Sequence, residues 1–262
     1  MTRLEDLLAD LAAEGDQLED LVAPLGAEGW RMPTPAPGWD VAHQVGHLAW
    51  TDETAVAAAT DKQEWDARLV AATADPDGFV DAQAAAAASL PSDELLRRWR
   101  DARQALSTTL RELPADARIP WYGPPMRVTS MATARFMETW AHARDVAAAL
   151  GVELPAHDRV RHVVHIGVRT RDFAFRTRGL DVPTDEFRVE LRLPGGDELS
   201  YGPADAAQAV TGSAYDFALL VTQRVHRHDT DLTAAGPDAE RWLDLAQAFA
   251  GPPGRGREAH RG

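Results

Sequence analysis

The chain has 262 residues, enough to bury a sizeable core as one large domain or two ordinary ones. Its 27 basic and 41 acidic side chains leave a formal charge of −14, a poor match for nucleic acid or an anionic membrane surface, and no basic patch stands out before the tail. There is no cysteine, so disulfides, thiolate metal sites and a cysteine nucleophile are excluded, and histidine and carboxylate are left as metal ligands.

No stretch approaches eighteen apolar residues, and the acidic start MTRLEDLLAD lacks the layout of a secretion signal, so a cytoplasmic location is expected. Residues 4–25 carry Leu4, Leu7, Leu8, Leu11, Leu18, Leu21 and Val22 at helical spacing, with Gly15 expected to loosen the middle. Residues 30–38 hold three prolines and a glycine and cannot be helical throughout. Asp40 then stands where an N-cap belongs, and 41–60 reads as a second helix. An alanine-rich helical region over 62–89 is interrupted at 75–78, and Pro91 with Asp93 and Glu94 opens a stronger helix running to about Leu113. Lys62 is the only lysine, which leaves little room for Schiff-base chemistry.

A loop over 120–126 leads to the stretch 128–150, with Thr129 or Ser130 as N-cap and Gly151 just past its end. Residues 158–178 read as one more helix, carrying His162 and His165. The pattern then changes: Phe187, Val189, Leu191 and Leu193 alternate with charged residues, Gly195 and Gly196 mark a hairpin, and 199–201 returns as a strand. A helix over 214–225, a short strand near 231–234 and a last helix from Pro237 through Trp242, Leu245, Ala246 and Phe249 complete the chain. The expected fold class is α+β: a helical bundle over 1–180, a small mixed α/β domain over 185–250 and a disordered tail over 251–262.

Two helices carry the chemistry. Glu138 and His142 stand four apart, which puts a carboxylate and an imidazole one turn apart on one helix face. The ordinary alternative is a solvated stripe or a local hydrogen bond. On the second helix His43 and His47 are also four apart, but Gln44 stands where a zincin would have glutamate. Taken singly, each of these histidines reads first as a core or surface residue.

The run Pro37, Trp39, His47, Leu48, together with Glu138 and His142, resembles the N-terminal domain of the mycothiol-dependent maleylpyruvate isomerases, within the wider DinB-like four-helix metalloproteins. The segment VTGSAYDFALLVTQR, with Asp229, Leu232 and AQAFAGPPG, is similar to a related actinobacterial group of metal-binding proteins. The resemblance implies a four-helix bundle with extra helices in which His47, Glu138 and His142 hold a divalent metal, usually zinc. Where the family often has aspartate four positions before the metal histidine, this chain has His43, which is not counted as a ligand: it is an outer support, an acid/base, or a residue without a role. Three protein ligands leave a coordination position for water or substrate. In the family, the resemblance implies, mycothiol occupies that role: the activated thiolate adds to a conjugated cis alkene, the saturated bond rotates, and elimination releases the trans isomer. Related members transfer the same thiol.

Asp145 is placed to support the ring of His142, with an exposed surface position as the alternative. Trp50, Trp121 and Tyr122 are candidates for the pocket mouth or for core packing. Arg224, with His226, Arg227 and His228, forms a basic cluster suited to a substrate or cofactor carboxylate, or simply a solvated helix end; Arg224 and His43 are the candidate catalytic residues. The expected function is a zinc-dependent isomerase or thiol S-transferase acting with mycothiol on a small electrophile, with a small-molecule partner and a homodimer as the plausible assembly. A thiol-independent zinc hydrolase or lyase and a non-catalytic metal-dependent binding protein are the alternatives. No G-x-S-x-G elbow, P-loop or G-x-G-x-x-G supports other enzyme classes.

Overall fold

A computed structural model of the chain describes residues 4–254 and 256–260, which fall into two compact units, Met1–Leu154 and Pro155–Gly262. The first contains α1 (Leu4–Val22), a one-turn α2 (Ala27–Trp30), α3 (Val41–Thr60), α4 (Lys62–Ala74), α5 (Phe79–Ala88), α6 (Ser92–Glu112) and α7 (Val128–Leu150). Its bundle is built from α1, α3, α6 and α7, with α4 and α5 as the extra helices against α3.

Amphipathic α1 and α6 turn leucines inward: Leu7, Leu8 and Leu18 from one, Leu95, Leu106 and Leu110 with Trp99 from the other. Helices α3 and α7 are central and buried on nearly every side, so their apolar residues show no stripe. Polar residues on them are therefore carried into the interior, among them Gln44, His47, Asp52, Arg135 and His142. Helix α5 comes close to α3 because position 46 is glycine: a Cβ there would lie 2.8 Å from the Cβ of Ala87. Helix α1 runs unbroken through Gly15.

The expected side-chain cap on α7 is absent. A short antiparallel pair, β1 (Arg118–Ile119) and β2 (Met126–Arg127), delivers the chain directly into the helix at Val128, with Arg127 at the cap position and no side-chain hydrogen bond. The other end is as expected, with Gly151 left-handed at φ 67°.

The second unit holds α8 (Arg161–Arg169), α9 (Arg171–Arg176), β3 (Phe187–Arg192), β4 (Glu198–Tyr201), β5 (Gln208–Ser213), α10 (Ala214–Val221), β6 (Thr233–Ala235) and α11 (Pro237–Leu245). The single helix expected over 158–178 is divided: a 3-10 turn at Asp158–Val160 precedes α8, and Thr170 separates α8 from α9. These helices pack with α10 and α11, which moves the unit boundary from the expected 180–185 to 154/155.

The sheet order is β4-β3-β5-β6, mixed because β3 and β5 run parallel while both outer pairs are antiparallel. Strand β4 has already returned the chain to the starting end of β3, so the short 202–207 link reaches a parallel β5 without a crossover helix. Phe187, Phe217 and Trp242 pack edge to face between sheet and helices, with centroids 5.7 and 5.6 Å from the tryptophan. In the tail, residues 251–254 and 256–260 form no helix or strand, and the His260 N–H donates to Asp229 at 2.8 Å.

Candidate metal centre

The site is built from the start of α3 outward. Asp40 caps the helix, its Oδ1 accepting from the His43 N–H at 3.0 Å. The same oxygen lies 2.6 Å from His43 Nδ1, and Arg31 donates to Oδ2 at 3.3 Å. Burial works to raise the Asp40 carboxyl, but the hydrogen bonds and charge of His43, with Arg31, hold it below the usual carboxylate range. Asp40 thus engages Nδ1 of the His43 ring.

One turn further along α3, His47 faces α7, where Glu138 and His142 share a helix face. Glu138 Oε2 lies 3.3 Å from His47 Nε2 and 3.1 Å from His142 Nε2. One ligand atom from each of the three lies within 4.8 Å of the others. In a tetrahedral site with zinc bonds of about 2.0–2.2 Å, neighbouring ligand atoms sit about 3.3–3.6 Å apart, and the two distances to Glu138 lie near that range. Burial disfavours the Glu138 anion, yet its contacts with His142 and His47 keep its carboxyl well below the ordinary range. Nδ1 of His47 is buried and has no hydrogen-bond partner among the described residues.

Gln44, which sequence reasoning noted only as a departure from a protease motif, is buried and places its side-chain oxygen on His142 Nδ1. The available signal was a lone amide among Val41, Ala42, Val45 and Leu48. Asp145, the expected support for that ring, is buried at 1% exposure rather than on the surface. Trp39 is the other residue without an assigned role. Its ring lies 5.3 Å from that of His47, 5.9 Å from His142 and 6.3 Å from His43, and its indole N–H donates to Asp81 on α5 at 2.9 Å.

Trp50 packs 6.1 Å from His47 and continues through Phe79 and Tyr122 to Trp65 and Trp121. These aromatics fill the space beside the site with ring on ring. Arg224 lies in the second unit, after α10, and donates to the Thr222 carbonyl. Of its cluster, Arg227 is held by Glu240 and Asp244, and the rings of His226 and His228 pack together at 4.8 Å. No helix among the described residues is long and apolar enough to cross a membrane.

Residues 11–147 match the model of a family described as the mycothiol maleylpyruvate isomerase N-terminal domain. Two uncharacterized proteins of Mycobacterium tuberculosis, from different strains, are each 55% identical over 250 residues, covering 95% of this chain and 97% of the relative. Among solved structures, crystal structures of the mycothiol-dependent maleylpyruvate isomerase and of a histidine-to-alanine mutant share the fold. Both superpose with a TM-score of 0.61 over 90% of this chain and 96% of theirs, at 15% and 14% identity.

Proposed function

The chain belongs to the mycothiol maleylpyruvate isomerase N-terminal domain family, and from that membership we propose that it is a metal-dependent enzyme using a low-molecular-weight thiol on a small electrophilic substrate. The observation that carries this is the convergence of His47, Glu138 and His142 from two helices onto one point. They would hold zinc or another divalent ion. When bound, such an ion supplies a Lewis acid that lowers the pKa of a coordinated thiol or water.

The remaining roles fall to the chain's own side chains. With no cysteine in the sequence, a sulfur nucleophile has to come from outside, and mycothiol, named for the structural relatives, is the candidate. His43, oriented by Asp40, gives or takes a proton through Nε2. Trp39 limits water access at the three histidines, and Arg224, in the second unit, is a candidate anchor for a carboxylate within that unit. Isomerisation and S-transfer share the addition step and differ in what leaves.

The test follows turnover of maleylpyruvate and of simple electrophiles by the zinc-loaded protein, with and without mycothiol. Turnover that requires both metal and thiol is expected; equal rates in thiol-free buffer would reject the thiol and leave a hydrolase or lyase.

A further inference from the structure

The hydrogen-bond chain behind His142 leaves its donors and acceptors no freedom. The Thr34 hydroxyl donates its one proton to the Trp39 carbonyl at 2.8 Å, because a carbonyl can only accept. Towards Gln44 the same oxygen can then only accept, so the Gln44 atom 2.8 Å away is the amide nitrogen. The other end of that amide, which touches His142 Nδ1, is therefore the carbonyl oxygen. Nδ1 must carry the hydrogen, and Nε2 of the neutral ring holds a lone pair.

That lone pair is aimed at Glu138 Oε2, 3.1 Å away. Two lone pairs at this separation repel unless a proton or a metal ion lies between them. We infer that Gln44 and Thr34 are positioning residues that lock His142 in the Nδ1–H tautomer and so present Nε2 as a metal ligand. The inference deepens the metal-site proposal and rests on it for the identity of the cation. It also accounts for the proline-rich loop, since Trp39 lies against the histidines with its ring while its carbonyl ends the relay that orients one of them.

The experiment uses the full chain, stripped of metal and titrated with Zn2+ against a chromogenic chelator, beside nitrogen NMR of the imidazoles in the metal-free protein. Gln44→Met keeps the volume and removes the acceptor; a loss of about 10–100-fold in zinc affinity is expected, the range for removing an outer partner of a ligand histidine. Gln44→Glu restores an acceptor on Nδ1 and is expected to bind within a few-fold of the parent. Thr34→Val frees the amide to rotate and is expected to fall between them. Should Gln44→Met fail to fold, Thr34→Val carries the test alone. In the metal-free parent, His142 is expected with its proton on Nδ1. An Nε2–H tautomer there, or zinc affinity unchanged in Gln44→Met and Thr34→Val, would overturn the assignment. A parent that binds no zinc while its His142 keeps the Nδ1 proton would leave the relay standing and remove the metal-site proposal instead.

Discussion

Asp52 and Arg135 meet inside the bundle, Oδ1 to Nε at 2.7 Å, on the same two helices that carry the candidate metal ligands. Asp52 follows His47 by five residues on α3, and Arg135 precedes Glu138 by three on α7, so the pair braces the helices beside the site. Burial raises the Asp52 carboxyl above its ordinary range against the pull of Arg135. Removing one partner strands the other: Arg135→Met is expected to cost about 3–5 kcal/mol in urea denaturation, whereas the double variant Asp52→Leu, Arg135→Met recovers most of it. Equal losses in the single and double variants would show that the pair itself holds the helices.

Metal content should follow the three converging side chains. Glu138→Ala and His142→Ala are each expected to lose most bound metal on purification, a larger effect than the about 10–100-fold expected for an outer partner. His47→Ala should behave alike, and Arg224→Ala should keep its metal. Elemental analysis of the purified variants decides this, and retention in all three ligand variants would refute the site.

The Asp40 cap makes a prediction about pH. Its folded pKa is depressed below the unfolded 3.8, so its charge contributes stability that is present above that pH and lost as pH falls through the folded value. Asp40→Ala is expected to cost about 1–2 kcal/mol at pH 7, while Asp40→Asn keeps the capping oxygen and loses only the charge contribution. The gap between Asp40→Asn and the parent should close at acid pH; a gap that widens there would contradict the sign.

Trp39 lies nearer the rings of His47 and His142 than Trp50 lies to His47. Addition of Co2+ to the metal-free protein should therefore quench tryptophan emission, with Trp39→Phe removing the largest share of the change. A titration curve unaltered by that substitution would place the ion away from this ring.

What the sequence determined by itself is local. Leucine periodicity marked α1 and α6, Asp40 and Gly151 punctuated α3 and α7, and alternation picked out β3, because each signal is written within a turn or two of chain. The spacing of Glu138 and His142 likewise put two candidate ligands on one face. Tertiary structure alone decided whatever needs a partner far along the chain. Strand β5, short and rich in small residues, forms between the edges that β3 and β6 offer it. Helices α8 and α9 joined the sheet unit because their buried faces meet α10 and α11. Gln44 gained its role from Thr34 and His142, the latter 98 residues away, since a buried amide takes its meaning from the donors and acceptors that folding sets beside it.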